Sequence, residues 1–323
     1  ELPAGIDVVI LMGADILHKD MLYSIDQFVM AGGSLIVMID PFSRVKRANN
    51  VTNPSPSEEI NDISDLLARY GIVYEGAAVV GDAELASIVS DGDQGRLTYP
   101  YWMRITASDL SADHATTANL NEVLLVEPGA FRLEGEARAL VATTDNAGSA
   151  LRSDFEELTP RDLSMSFTSQ SKKRVLAATV QGSLKSAFGP VPDPSTAAAH
   201  RPASVGMPLV FAIADVDWLF DPFSLQKTSL GQDTVVRPLN DNLAFMLNML
   251  EFATGDDQLL AIRSRGQLHR PFSRVADLFQ AAQVKAQERE AALAQQVGEL
   301  EQQITSATQG VGDIGYEDLP ESV

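Results

Sequence analysis

The sequence contains no cysteine among its 323 residues. Thiol nucleophiles, disulfide bonds and thiolate metal sites are therefore excluded. Histidine is scarce as well, and the four histidines (His18, His114, His200 and His269) show neither HExxH nor HxH spacing. We interpret them as surface residues, and the sequence predicts neither a metal centre nor a cofactor.

Basic residues are also few. The chain has 24 Lys and Arg against 44 Asp and Glu, for a formal net charge of −20. This balance argues against nucleic-acid binding, which depends on cationic contacts to phosphates, and against docking on an anionic lipid surface. We therefore predict a solvated acidic surface and no nucleic-acid partner.

Several complete motifs are missing. No Walker A sequence, no GxGxxG after a strand and no GxSxG elbow occurs, so an ATPase, a dinucleotide site and a serine-nucleophile hydrolase are not predicted. No apolar run reaches the roughly 18 residues that span a bilayer. Because the chain opens at Glu1 almost directly before a strand, we expect it to be a soluble piece of a longer protein.

The first 41 residues read as strand, helix, glycine turn and strand. The apolar runs at 8–12 and 35–39 are continuous, which is typical of parallel strands buried on both faces. Between them, Leu22, Ile25 and Val29 are spaced for one helical face. The pattern predicts a βαβ unit of a doubly wound α/β sheet, with Asp40 at the carboxyl end of a buried strand.

The rest of the chain extends this sheet. A second wholly apolar strand is predicted at 208–214 and an apolar helix at 240–254. Short strands between them predict a mixed β region packed beside the sheet. A long helix is predicted at 273–304. We expect four parts: an N-terminal α/β half (1–90), a mixed β/α region (91–180), the C-terminal part of the sheet (181–271), and a long helix with a polar tail (272–323).

Asp40, Asp215 and Asp217 are the strongest acidic candidates. Asp40 and Asp215 are predicted to follow buried strands, at the sheet edge where ligands bind in open α/β folds. Hard cations prefer carboxylate oxygens, so a metal-assisted hydrolase of glycans or phosphoesters is one reading. The plainer reading, which we favour, is that these side chains cap turns and helix starts.

Two other groups are candidates for binding a ligand or partner. Tyr101 and Trp102 offer aromatic faces on which a sugar can stack, although aromatic core packing is the more common role. Arg263 and Arg265 lie before the long helix and can receive an acidic group, although pairing with the acidic surface is the simpler reading. The long helix itself can support a homodimer or a coiled-coil scaffold.

Three segments resemble a known family when taken in order. They are IDVVILMG…QFVMAGGSLIVMIDP, then PLVFAIADVDWL, then NDNLAFMLNMLEFATGDDQLLAIRSRGQLHRPFSRVADL. Together they are similar to the auxiliary-component family of ABC-type transport systems, which includes the gliding-motility protein G type. The GG–apolar–DP and LNMLEF–TGD–IRSR elements are the most specific.

This resemblance carries its own expectations. It implies a flavodoxin-like or class I glutamine-amidotransferase-like domain that has lost catalysis and acts by binding a ligand or partner. It also implies a soluble domain on the extracytoplasmic side of the inner membrane, working with an ABC permease and its ATPase. The long C-terminal helix would lead back to a membrane span.

Overall fold

The computed structural model describes residues 2–3, 5–13, 17–48, 60–61, 63–92, 95–189, 200–230 and 233–255. The helices are α1 (Lys19–Met30), α2 (Arg44–Ala48), α3 (Ile63–Arg69), α4 (Asp154–Glu157), α5 (Pro160–Ser166), α6 (Asp221–Ser224) and α7 (Asn242–Ala253). The strands are β1 (Val8–Met12), β2 (Leu17–His18), β3 (Ser34–Met38), β4 (Ile60–Asn61), β5 (Ile72–Tyr74), β6 (Ala78–Asp82), β7 (Ala86–Ser90), β8 (Arg96–Thr106), β9 (Glu122–Val126), β10 (Phe131–Leu133), β11 (Arg138–Ala142), β12 (Ala147–Leu151), β13 (Val175–Gln181), β14 (Leu209–Ile213), β15 (Leu225–Leu230) and β16 (Asp233–Pro238).

The main sheet is built around three parallel strands. β1 pairs with β3, and β3 pairs with β14, in the same direction. All five residues of β3 and all five of β14 are buried, as the continuous apolar runs predict. One face packs against α1 and α3, and the other packs against α7. The βαβ unit and the α/β class are therefore confirmed.

The continuous apolar run at 8–12 predicts a strand buried on both faces, but β1 is partly exposed. It forms one end of the main sheet, so it has a partner on one side only among the described residues. As a result, Ile10 is 41% exposed and Met12 is 55% exposed. The sequence pattern of an apolar end strand resembles that of a central strand, and only the strand order separates them.

Beyond β14 the sheet changes direction. β13 runs antiparallel to β14, and β10 and β11 run antiparallel to β13. A separate three-stranded antiparallel sheet is formed by β7, β8 and β9, and β6 pairs with β12. The predicted strands of the middle region are thus present, in a mixed rather than an all-parallel arrangement.

Shorter elements follow the βαβ unit. The first N–H groups of the short helix α2 are held by Asp217. The helix α3 begins at Ile63, and the short strand β4 precedes it. β5 and β6 are two separate strands with a turn between them.

The predicted long helix at 273–304 and the arginines Arg263 and Arg265 lie outside the described residues. Within the described part of the chain, every helix falls short of the length and hydrophobicity that a membrane crossing requires.

Candidate functional site at the carboxyl ends of the parallel strands

The predicted acids come together at one edge of the main sheet. Asp40 follows β3, and Asp215 and Asp217 follow β14, because parallel strands end at the same edge. A fourth acid, Glu127, joins them from the end of β9. The charges of Asp217 and Glu127 act on Asp40, so the four carboxyl groups form one electrostatic cluster.

Asp215 is fully buried and accepts three hydrogen bonds from the main chain. Its Oδ1 receives the N–H groups of Asp217 at 2.7 Å and Trp218 at 3.0 Å. Its Oδ2 receives the N–H of Val126 at 2.6 Å. Asp215 therefore caps the short 3₁₀ helix Asp217–Leu219 and also ties the end of β9 to the main sheet.

Asp217 stabilises the start of α2 from a distant part of the chain. Its Oδ2 accepts the N–H groups of Arg44 at 2.5 Å and Val45 at 3.1 Å, and its Oδ1 accepts the hydroxyl of Ser43 at 2.7 Å. The carboxylate thus satisfies donors that a helix leaves free at its first turn. Capping was the plainer of the two sequence readings, and the hydrogen bonds agree with it.

Asp40 stabilises the turn that follows β3. Its Oδ1 accepts the N–H of Phe42 at 2.8 Å, and its Oδ2 accepts that of Val216 at 3.3 Å. Although the residue keeps some surface exposure, its carboxyl group is shielded from water, which raises the pKa of Asp40 well above its usual range. The nearby charge of Asp217 adds to this rise in pKa.

Burial also raises the pKa of Asp215, and the charge of Asp40 is the next cause. Two neighbouring shielded carboxyl groups resist carrying two negative charges. The pair therefore keeps a proton to a higher pH than an ordinary aspartate does.

Glu127 was missed by the sequence analysis. It is 1% exposed, with its Oε1 at 2.7 Å from Nη1 of Arg44 and at 3.0 Å from the hydroxyl of Tyr99. Its backbone φ of 52° lies in the left-handed region, which is unusual for a residue other than glycine. The unlike charge of Arg44 offsets part of the burial cost of the acidic cluster.

The two aromatic candidates have different surroundings. Tyr101 is 1% exposed and packs edge-on against Phe155 and Phe167, so its ring has no free face for a sugar in this structure. Burial raises the pKa of its phenol to about 12. Trp102 is half-buried, and the guanidinium of Arg44 lies 5.1 Å from its ring centroid. Of these two side chains, that of Trp102 therefore contacts the arginine that pairs with Glu127.

The cluster is built for hydrogen bonding within the protein. Each oxygen of Asp40, Asp215 and Asp217 accepts at least one N–H or O–H from the chain itself. In the described part of the chain, no three acidic or histidine side chains are arranged to hold a metal ion. The geometry thus favours a structural role for these carboxylates over the metal-site reading.

The shared proton predicts a pH dependence of stability. At pH values above the usual pKa of an aspartate, the folded protein holds more protons on Asp40 and Asp215 than the unfolded chain does. The free energy of unfolding therefore falls as the pH rises from the usual pKa toward the raised pKa values of the folded state. We expect Asp40→Asn to remove most of this fall, worth about 1.4 kcal/mol for each unit of pKa shift that is lost. Urea unfolding across the acidic to neutral range measures it.

Asp113→Asn is the matched control, because Asp113 is exposed on the surface. This variant should follow the pH profile of the parent protein. A profile for Asp40→Asn that has the slope of the parent would show that Asp40 carries no extra proton in the folded state.

These observations define a mixed α/β domain with a hydrogen-bonded acidic cluster at the carboxyl edge of its parallel strands. The model of a family described as "ABC-type uncharacterized transport system" matches residues 1–249. The chain belongs to this family, and is thus an auxiliary component of an ABC-type transport system. Membership associates it with the other components of such a transporter and with the membrane.

No curated protein matches the chain. One solved structure, titled "mmIFT52 N-terminal domain", is 11% identical with a TM-score of 0.41, and the match covers 78% of each chain. A likeness at this level carries no functional argument.

Proposed function

We propose that this chain is a non-catalytic auxiliary domain that acts by binding a partner of its ABC transport system. The main support for the proposal is the hydrogen bonding of the acidic cluster. In a metal-assisted or acid–base enzyme, at least one carboxylate oxygen would be directed at a ligand. Here the oxygens of Asp40, Asp215 and Asp217 accept hydrogen bonds from the loops around them.

The proposal extends to the setting implied by the sequence resemblance. The domain would lie on the extracytoplasmic side of the inner membrane, anchored through segments outside 1–255, as in the gliding-motility protein G type. Its partners would be the permease and, through the permease, the ATPase. The flavodoxin-like, amidotransferase-derived fold is also part of this proposal.

A row of side chains beside the cluster is the surface we assign to the partner. The guanidinium of Arg44 stacks on Trp102, Trp102 contacts Phe223 at 5.1 Å, and Phe223 contacts Phe220 at 6.0 Å between ring centroids. Phe220 is 44% exposed, and the side chain of Arg44 is 37% exposed. Arginine and large aromatic side chains are the residues that most often dominate binding energy at interfaces.

The predicted effect of Phe220→Ala is a loss of partner binding without a comparable loss of stability. Phe220 is exposed at the end of the row, so its removal takes away contact area but leaves the ion pair of Arg44 and Glu127 intact. The measurement is a pull-down of the permease and ATPase with the protein, expressed together with its neighbouring genes and extracted gently. We expect recovery to fall about tenfold, the effect of losing about 1.4 kcal/mol of binding free energy.

The matched control is Leu247→Ala on α7, because Leu247 is 43% exposed but lies outside this row. The control should recover the permease as the parent does. Equal recovery with Phe220→Ala would refute the assigned surface, and absence of the permease from the parent pull-down would refute the ABC partner itself.

A further inference from the structure

The outer edge of β1 is an exposed apolar strand edge. The sequence of β1, VVILM, has no charged residue and no proline, and its pairing with β3 is regular over all five residues. Among the described residues, no strand pairs with the other side of β1. Proteins usually protect such an edge with charges, proline, bulges or a covering segment.

The backbone hydrogen bonds show which residues face outward. The carbonyl of Asp7 accepts the N–H of Ser34, and the N–H of Gly13 donates to the carbonyl of Met38. Since backbone direction alternates along a strand, the residues at positions 7, 9, 11 and 13 direct their polar groups at β3. Val8, Ile10 and Met12 therefore direct their N–H and C=O groups away from the sheet.

The side chains of these outward-bonding residues share one face of the strand, on which Ile10 and Met12 are exposed at 41% and 55%. By contrast, the edge of β9 is satisfied by side chains. Asn242 bonds both the N–H and the C=O of Leu124 at 2.9 Å, and Asp215 accepts the N–H of Val126. Among the described residues, the edge of β9 thus has side-chain partners and the outer edge of β1 has none.

We propose that β1 pairs antiparallel with β1 of a second copy of this chain, around a two-fold axis beside Ile10. In this register Ile10 lies opposite Ile10, and Val8 lies opposite Met12, of the other copy. All three are outward-bonding residues, so each opposed pair forms the doubly hydrogen-bonded pair of an antiparallel ladder. The same register places Val9 opposite Leu11, so every opposed pair is apolar.

Charge is compatible with this register although each copy carries a net charge of −20. The nearest acid to the strand, Asp7, lies opposite Gly13 of the other copy. The two Asp7 residues are separated by six residues of strand, about 20 Å. This exceeds the screening length of about 8 Å at physiological salt, so their repulsion is weak.

The antiparallel pair is related by a two-fold axis, so it closes as a symmetric dimer. Five residues of strand make a small interface, so the dimer is reversible and depends on concentration.

The first test is sedimentation of the whole 323-residue chain over a concentration series. We expect the parent to pass from monomer to dimer and Ile10→Lys to stay monomeric, because lysine on a strand edge blocks pairing. The matched control is Ile88→Lys, since Ile88 is 60% exposed on the end strand β7. It should dimerise as the parent does.

The register can be tested by cysteine cross-linking. Because the chain has no cysteine of its own, only the introduced thiols can react. A short thiol cross-linker should join Val8→Cys to Met12→Cys in a mixture of the two variants, and should join neither variant to itself. Efficient cross-linking of Val8→Cys alone would overturn the antiparallel register.

Two further results would overturn the dimer. One is a dimer that survives Ile10→Lys, which would place the interface elsewhere. The other is a parent that stays monomeric over the whole concentration series. Protection of the Ile10 amide from hydrogen exchange in that monomer would mean that a segment of the same chain covers β1.

Discussion

Asp26→Ala is expected to lower the free energy of unfolding by about 3–5 kcal/mol, because it orphans several buried donors at about 1–3 kcal/mol each. Asp26 lies on α1 and is completely buried. Its carboxylate accepts the hydroxyl of Tyr70 at 2.9 Å, the hydroxyl of Ser186 at 2.6 Å and the N–H of Ala187 at 2.9 Å. Hydrogen bonds, rather than an ion pair among the described residues, therefore hold this charge in the core.

The substitution Asp26→Ala should affect more than α1, because Asp26 connects three separate segments of the chain. Tyr70 follows α3, and Ser186 and Ala187 belong to the segment after β13. Burial, together with the charge of Asp26, raises the pKa of the Tyr70 phenol, so the tyrosine remains a hydrogen-bond donor at all ordinary pH values. Loss of the carboxylate should therefore loosen both the end of α3 and the 186–188 segment from α1.

Chemical denaturation followed by tryptophan fluorescence measures the change in unfolding free energy. Asp20→Ala is the control on the same helix, because Asp20 is exposed in the first turn and should cost less than about 1 kcal/mol. In a double-mutant cycle, Tyr70→Phe should cost less in the Asp26→Ala background than in the parent. Additive effects would mean that the hydrogen bond between Tyr70 and Asp26 contributes nothing.

Much of the main sheet follows from sequence pattern. The continuous apolar runs of β3 and β14, with the spaced apolar residues of α1 between β1 and β3, were enough to predict a βαβ unit. Asp40 and Asp215 were then placed at the same sheet edge by the geometry of parallel strands alone. These predictions succeed because they depend on local periodicity and on one general rule of chain direction.

Long-range pairings could not be predicted in the same way. Glu127 joins the cluster only because β9 ends beside β14, a contact between residues that are far apart in sequence. The start of α2 is capped by Asp217, which lies 173 residues from Arg44 along the chain. Because the capping residue is so distant, the sequence around α2 alone has the composition of a loop. Asp26 occupies a buried position on α1, but its partners Tyr70 and Ser186 are distant, and its sequence context looks like a solvated helix position.

Asp215→Ala is expected to cost about 2–4 kcal/mol of unfolding free energy, from orphaned main-chain donors at about 1–3 kcal/mol each. The buried N–H groups of Val126, Asp217 and Trp218 all donate to this one side chain. Removing the carboxylate also relieves its repulsion with Asp40, which offsets part of the loss. The net effect remains destabilising because the two oxygens that accept these three N–H groups are lost together.

The substitution Asp215→Ala should loosen the structure most where β9 meets the main sheet. Asp215 holds Val126 at the end of β9, while Asn242 holds Leu124 on the same strand. Hydrogen exchange should therefore quicken along β9 in Asp215→Ala before it quickens in β3, because β3 has strand partners on both sides. This order of exchange separates a local loosening of β9 from uniform destabilisation of the domain.

The substitution Asp215→Asn should lower the free energy of unfolding by an intermediate amount. An amide oxygen can still accept the N–H groups of Asp217 and Trp218, but the amide nitrogen cannot accept that of Val126. We expect a cost between that of Asp215→Ala and that of the surface control Asp113→Ala, measured by urea unfolding at neutral pH. If Asp215→Ala were as stable as the control, the carboxylate would not be holding β9. The acidic cluster would then need a role in binding rather than in structure, and the case for a non-catalytic domain would lose its main support.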